Sequence, residues 1–352
     1  MATDGYSPHV GICGARWPTV PGEAEAAVLS LYHQLEETQW LSPEALAASQ
    51  LVQLRALVSH ALEAVPWYRD HFAPRLAGPP AQLTWDDWAR LPVLPPEALA
   101  ANQAGLVSAS PPPGHGEARP AAIDTIGGRP VHIMLNGVSD VFDRAIALRF
   151  YDWWGWDVSG VLMEFRHTGQ PGVQRYDNWG NVIKSGARVV CNTAAGEAAL
   201  VAAIRREQPD YLALPVADFA RLVRAWPRRG GRPRRLKAVV VDSPVLPAEL
   251  RRAGEKRLQA PVIHRLSLPG LGAIALPCPE QGAYHLMSEC FISDLIAAPG
   301  APAAGPVTGR LVLTALQNYA MPLLRFVTPL TIERLAACAC GRGLSPFKVV
   351  EA

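Results

Sequence analysis

Between Val161 and Leu268 short apolar runs alternate with helical stretches, and this alternation limits the possible folds more than any other feature of the chain. The runs VLMEF, ARVVC, DYLALP, KAVVVD and PVIHRLSL are too short for helices and are bounded by turn residues, so they read as buried strands. A Gly-rich polar loop follows the first run. Helices are predicted near Gly196–Glu207, Val216–Trp226 and Leu246–Leu258. Strand, helix and strand in succession predict a layered α/β fold, with mixed or parallel sheets flanked by helices.

The flanks differ in character. Residues 1–22 hold Gly and Pro with little periodicity and read as an N-terminal extension. From Glu23 to Leu41, Val28, Leu31 and Leu35 recur at helical spacing. A second helix runs from Ser42 or Pro43 through Leu46, Leu51, Leu54, Leu57 and Leu62, and Pro66 is expected to stop it, with Trp67, Tyr68 and Phe72 as anchors. Short helices around Trp85–Trp88 and after the Pro-rich turn complete a helical part, 23–120. Residues 109–120 read as a loop, and an amphipathic helix is expected over Ser139–Trp154. The α/β core is set at 121–268. A β-rich part, 269–350, contains Gly309–Gly343: a strand, a turn at Asn318, a break at Pro322, a second strand through Leu323, Leu324 and Phe326, and a Cys-x-Cys-Gly knuckle.

At 352 residues and 49% hydrophobic the chain can bury a sizeable core. A net charge of +2 argues against a nucleic-acid partner, and the cluster Arg206, Arg228, Arg229, Arg232, Arg234 and Arg235 reads as a solvated helix end and loop. No apolar run reaches the ~18–20 residues of a membrane span. The N-terminus has no basic-then-apolar leader, and six cysteines do not make a disulfide scaffold, so a cytoplasmic location is expected. Richness in Ala, Arg and Pro suggests a bacterial source.

The cysteines carry one pattern of their own. Cys278 and His285 form C-x6-H, and Cys338 and Cys340 form C-x-C before Gly341. Three thiolates and one imidazole are the donor set of a tetrahedral structural zinc, with Cys290 as a substitute ligand. Taken without that pattern they are ordinary thiols.

Two stretches in the right order carry a family resemblance. Residues 51–108 match "LRxLVxHAxExVPxYRxxF…LPxLxKxxLxxNQ", and Gly309–Gly343 matches "GxLVxTxLxNxAMPLIRYxTGDL…CxCGR". Over roughly residues 25–350 the chain resembles phenylacetate–CoA ligases of the adenylate-forming superfamily. The resemblance implies the large N-terminal domain of that fold, and a shared zinc where "CPEGGxYH" and "CxCGR" occur together. It also implies an ATP site, and here the sequence departs from the pattern. Ile123, Asp124 and Ile126 stand where the phosphate loop "TSGTTGxP" has Thr, Ser and Thr. Ser243–Pro244–Val245 falls on Gly-Glu-Pro, Leu266–Ser267–Leu268–Pro269–Gly270 on Tyr-Gly-x-Thr-Glu, and Leu330 on the Asp that grips ribose. Every acidic residue of the nucleotide site is replaced, so neither ATP nor magnesium is expected. The chain stops near the hinge to the family's small C-terminal domain, which is expected to be absent.

Candidates for chemistry are His167, His264, Asp242, Ser243 and His132 as catalytic groups, because a His beside an Asp or Ser can move protons or activate a nucleophile. Asp242, Ser243 and His264 stand at or near the ends of predicted strands, where α/β folds place their ligand crevices. Trp179, Ser267 and Arg166 are the candidate substrate contacts. The expectation is an ATP-independent biosynthetic enzyme acting on an aromatic or acyl small molecule in the former acyl pocket, as a transferase, cyclase or related catalyst. The alternatives are a non-catalytic subunit serving a partner ligase or carrier protein, and an adenylating ligase completed in trans. A second copy of the chain is a further candidate partner.

Overall fold

The structure is a computed structural model that describes residues 8, 11–16, 18–124, 130–168, 172–194, 196–227, 232–268, 270–297 and 307–350. It divides into two compact units, residues 1–31 with 147–266 and residues 32–146 with 267–352. Each unit is therefore discontinuous in sequence.

In chain order the elements begin with β1 (Gly11–Arg16) and β2 (Thr19–Pro21). These pair as an antiparallel ribbon where the sequence suggested only an extension; such a short ribbon has no hydrophobic period to reveal it. Next come α1 (Glu23–Thr38), α2 (Pro43–Ala64), α3 (Pro66–His71), α4 (Trp85–Arg90), α5 (Pro96–Ala101) and α6 (Gln103–Leu106). Ser42 caps α2, its hydroxyl accepting from the Ala45 amide at 3.2 Å, and Pro43 fits the first turn because no partner for its missing N–H is needed there. Pro66 does more than end α2. It is the first residue of α3, so the Trp67-Tyr68 pair is presented from a helix.

Then follow β3 (Arg119–Asp124), β4 (Pro130–Leu135) and α7 (Gly137–Trp153). β3 and β4 form an antiparallel hairpin in register from Arg119↔Leu135 to Asp124↔Pro130, so the loop expected over 109–120 already turns into strand at Arg119. The degenerate phosphate loop falls largely on 125–129, outside the described residues.

The middle of the chain follows the expected alternation: β5 (Leu162–Arg166), β6 (Val173–Tyr176), β7 (Arg188–Asn192), α8 (Glu197–Glu207), β8 (Tyr211–Pro215), α9 (Val216–Ala225), β9 (Ala238–Ser243), α10 (Ala248–Leu258) and β10 (Val262–Leu268). Across the first unit the strand order is β10-β9-β8-β5-β7-β6. The first five run parallel, and β6, from the supposed Gly-rich loop, closes the edge antiparallel to β7. One face of this sheet packs under α8, α9 and α10 in a core containing Met163, Phe165, Leu212, Phe219, Val239, Val241 and Leu258. Gly254 is required there, because a Cβ would run into the Phe219 ring.

The last elements are β11 (Gly272–Pro277), β12 (Tyr284–Leu286), β13 (Phe291–Ala297), β14 (Thr308–Ala315), β15 (Phe326–Arg334) and β16 (Pro346–Val349). In the second unit they form an antiparallel sheet in the order β13-β14-β15-β16-β12-β11. Its core joins α2, α3 and α4 to the strands through Leu54, Leu57, Tyr68, Phe72, Trp88, Ile292, Met321 and Phe326. The second strand of the C-terminal stretch starts only at Phe326. Leu323 and Leu324 are buried but lie outside it; the Tyr68 hydroxyl donates to the Pro322 carbonyl at 2.8 Å and accepts from the Leu324 amide at 2.9 Å, while the Leu323 carbonyl accepts from the Ala315 amide at 3.2 Å.

Candidate functional site

In the second unit Cys278 follows β11, His285 lies on β12, and Cys338 and Cys340 precede β16. One donor atom from each of the four lies within 4.8 Å of every other. Local hydrogen bonds build the two approaches. The Cys278 amide donates to the Ala283 carbonyl at 2.7 Å, and Gly282 donates back to the Cys278 carbonyl at 3.0 Å. The Gly341 amide closes on the Cys338 carbonyl at 3.2 Å with φ +79, a conformation that favours glycine. His285 is fully buried, with Nδ1 3.1 Å from the Leu344 carbonyl. That contact places the proton on Nδ1 and leaves Nε2 as a lone-pair donor toward Cys340 Sγ, 3.3 Å away. Cys338 Sγ stands 3.8 Å from Cys278 Sγ.

These spacings are a test of fit. Two sulfurs each ~2.3 Å from one tetrahedral zinc stand about 3.8 Å apart, and sulfur and imidazole nitrogen about 3.5 Å. The donor set and both spacings match. Desolvation pushes the Cys338 thiol up to about 11, against the Cys340 backbone hydrogen bond that lowers it and with side-chain hydrogen bonding to Cys340 and Cys278 adding to the rise; a divalent cation inverts that logic and holds the sulfurs as thiolates. Four protein donors leave no open position, so the centre is suited to a structural role. Cys290, the substitute ligand, is buried but is not part of the cluster.

In the first unit, Asp242 and Ser243 end β9 and His264 lies on β10, with His264 in register with Val241 and Arg265 with Asp242. Alternation puts Ser243 and His264 on the helix-covered face and Asp242 and Arg265 on the other. Ser243 Oγ is 3.0 Å from His264 Nε2, and the Ser243 carbonyl oxygen is 2.9 Å from the same nitrogen. A carbonyl only accepts, so Nε2 carries the proton, and a protonated nitrogen cannot also take one from the hydroxyl. The contact orients Ser243 rather than activating it. Burial lowers the pKa of His264, against the carbonyl contact that raises it. On the opposite face Asp242 holds Arg265 in a two-pronged ion pair at 2.6 and 2.8 Å. Glu164 pairs with Arg166 at 2.9 Å. All four charges act on the buried Tyr151 phenol, whose pKa desolvation raises, with Glu164 reinforcing the rise.

The remaining candidates are spread out. His167 follows β5 and is exposed. His132 is exposed on β4 of the second unit, its amide donating to Gln103 at 3.1 Å. Ser267 is half-buried in β10. Trp179 is buried, its indole N–H given to the Gly160 carbonyl at 2.9 Å, and it meets Tyr151, Trp156 and Tyr211 edge-on. Its polar group is thus committed to the fold.

Sequence reasoning did not find a cavity of about 250 Å³ in the second unit. Arg119, Asp140, Asp143, Phe142, Ile146, Leu271 and Gln317 are among its lining residues, and none of the eight candidates lines it. The available signal was Asp140 and Asp143 three residues apart on α7, with Phe142 and Ile146 beside them.

No family model matches the sequence, nor does any curated protein. Among solved structures, 2-hydroxyisobutyryl-CoA ligase in an open conformation with 2-HIB-AMP and CoA matches with a TM-score of 0.64 at 16% identity, over 84% of this chain and 72% of that one. The same ligase in its thioesterification state gives 0.65 at 17% identity, over 88% and 68%. In a postadenylation state only 65% of that chain is covered, so this chain spans about two thirds of the ligase. The acyl acid amido synthetase GH3.15 matches at 0.54 and 11% identity, over 91% and 69%. At such identities the likeness is one of fold.

Proposed function

The chain has the fold of the adenylate-forming enzymes, and from that premise we propose that it handles an aromatic or acyl substrate without adenylating it. One observation supports the reading: two residues that the sequence resemblance sets at nucleotide-binding elements are packed into the fold. Leu330, in place of the ribose carboxylate, is 1% exposed, and Ser243, at the adenine element, is buried against His264. A buried leucine offers no acceptor to a ribose hydroxyl, and an oriented serine offers no charge to a metal–nucleotide.

On this reading the strand ends of the first unit receive the substrate. The exposed His167 carries the proton, next in sequence to Arg166, with Asp242 at the end of β9 two strands away. A second reading, a non-catalytic binding subunit for a ligase or carrier protein, is favoured by the Ser243–His264 geometry, which commits both side chains to the fold. In either case the Cys278, His285, Cys338 and Cys340 cluster holds a structural zinc, which ties the strands around it together and takes no part in chemistry.

Titration calorimetry with ATP and magnesium is the direct test. No saturable heat up to millimolar nucleotide is expected. Micromolar binding, or pyrophosphate exchange with any aryl acid, sinks the proposal and restores the ligase reading. Loss of turnover in His167→Ala, once a substrate is identified, separates the catalytic reading from the binding one.

A further inference from the structure

Residues 111–118 of the second unit pass over the start of α7 as a strap. Before it, the Ala109 amide is held by the Ala64 carbonyl at 2.9 Å, and after it Arg119 opens β3. Most of the strap is exposed, and His115 is half-buried. Among the described residues, both hydrogen bonds that tie 111–118 to the rest of the unit run through His115. Its carbonyl accepts from the Val138 amide at 3.3 Å, one of the N–H groups that the first turn of a helix leaves unpaired. Its Nδ1 stands 3.2 Å from Asn136 Nδ2. Packing adds two contacts. The His115 ring meets Tyr319 edge-on with centroids 4.8 Å apart, and a Cβ on Gly116 would lie 3.1 Å from the Gly137 Cα.

Asn136 fixes the protonation state of His115. It is 1% exposed and directly precedes α7. Its Oδ1 caps the helix, accepting from the Ser139 amide and hydroxyl, each at 3.0 Å. A backbone N–H only donates, so this oxygen cannot trade places with the amide nitrogen. Nδ2 therefore lies on the other side, where it donates to the Gln317 carbonyl at 3.3 Å and to His115 Nδ1, which must hold a lone pair. A proton on Nδ1 sets two donors against each other. Asn136 cannot turn away without uncapping α7 and releasing Gln317. His60 lies on the same Tyr319 ring, centroids 5.0 Å apart, but behaves differently. Its Nε2 donates to the Tyr319 carbonyl at 3.0 Å, and a second proton on its Nδ1 leaves that bond intact.

The surroundings of His115 offer its cation no partner. From α2 comes His60, whose charge opposes it. From the turn after β14 comes Tyr319, whose hydroxyl accepts from Gln53 at 2.9 Å. The acid in the first turn of α7, Asp140, is paired with Arg119, and Glu117 of the strap is exposed. The positive end of the α7 dipole also disfavours a cation. Burial, with His60 reinforcing it, holds the His115 pKa below its ordinary value.

We propose that residues 111–118 form an acid-released strap, seated on α7 while His115 Nδ1 is unprotonated and lifting when that nitrogen takes up a proton. Leu135, Ser139 and Gln317, which flank or bind Asn136, also line the cavity of the second unit, so release loosens the rim of that cavity. The seated state binds the proton more weakly than the released one. Seating is therefore fully favoured above about pH 6.5 and is lost as pH falls toward the lower, seated pKa. The device does not depend on how the chain treats nucleotide or substrate.

Hydrogen exchange on the full chain between pH 7.5 and 5, expressed as protection corrected for the intrinsic effect of pH, reads the strap. Protection at the start of α7 should fall at least about threefold, with β8 and β9 unchanged. His115→Gln, whose Oε1 accepts from Asn136 at any pH, should keep the protection and lose its pH dependence. His60→Gln should respond as the parent does. Asn136→Asp should reverse the sign, because a carboxylate still caps α7 but accepts from a protonated Nδ1. Imidazole NMR should then put the His115 midpoint above 6.5 instead of below it. Thermal midpoints at pH 7.5 show which variants fold, and His115→Gln decides alone if Asn136→Asp does not. Protection independent of pH in the parent overturns the proposal. So does a response that survives in His115→Gln, is lost in His60→Gln, or keeps the parent's sign in a folded Asn136→Asp.

Discussion

The two units bury their apolar residues in different ways. In the first, β5 to β10 with α8 to α10 form one contiguous run of chain, and each helix covers the strands beside it. Its core is apolar, from Met163 to Val262. In the second, helices from residues 43–106 meet strands from beyond residue 270, and polar ties cross that gap. Tyr68 binds the backbone at Pro322 and Leu324. Gln53 donates to the Leu316 carbonyl at 3.2 Å, and Arg325 donates to the Trp88 carbonyl at 3.0 Å and pairs with Asp294 at 3.1 Å. The Cys/His cluster gathers residues at β12 and β16, all on the strand side of that gap. A unit assembled from distant segments must close long loops, and directional bonds fix a register that non-directional burial leaves free.

The strongest test of this contrast is metal removal. Zinc at about one per chain is expected by elemental analysis, and Cys338→Ser or exhaustive chelation should release it. Structural zinc sites contribute on the order of 10 kcal/mol in isolated fingers, so a fall in thermal midpoint of at least about 10 °C is expected. Hydrogen exchange should rise around β12 and β16 and stay unchanged in β8 and β9. Exchange rising equally in both units would erase the distinction.

Next in size is Phe219→Ala, which empties the space between α9 and Gly254 of α10. A cost of about 3–5 kcal/mol is expected by denaturant unfolding, with no change in zinc content. Tyr68→Phe is the counterpart in the second unit. It removes one hydroxyl but leaves the Pro322 carbonyl and Leu324 amide buried and unmatched, at about 1–3 kcal/mol. A loss below a few tenths of a kcal/mol would show that these polar ties do not hold the second unit.

The smallest effect is one of pH. His264 is buried and its folded pKa lies below the ordinary value of 6.5, so the unfolded chain binds the proton first as pH falls. Its contribution is complete above about pH 6.5 and is lost as pH falls toward the folded pKa, with a slope of at most about 1.4 kcal/mol per pH unit. His264→Gln should flatten that slope while keeping a donor for the Ser243 carbonyl. An unchanged pH profile would place the sensitivity on another histidine, such as His115, whose pKa burial also lowers.

The strands and helices from Leu162 to Leu268 were legible because local patterns determine them: buried β-branched runs, helical periods and turn residues all act over ten residues or fewer. The spacing of Cys278, His285, Cys338 and Cys340 was legible for a similar reason, since thiolates and imidazole are a chemically narrow set. Strands β1, β2, β3 and β6 were not, because they are short, exposed or rich in Gly and Pro and pair without an alternating apolar face.

Candidate side chains fared differently from candidate elements. Residue type and position singled out Asp242, Ser243 and His264, but only the structure shows that Asp242 faces away from the other two, that a backbone carbonyl claims the His264 nitrogen and that Trp179 spends its N–H on Gly160. The cavity beside Gln317 is the extreme case. Its lining comes from residues 119–146, 270–273, 291 and 315–318, and nothing in any one of those segments announces the others. The sequence by itself determined the α/β layering and the metal donor set, because local chemistry suffices for both. Only the tertiary structure decided which polar atoms are already spent, because hydrogen-bond partners are assigned by folding.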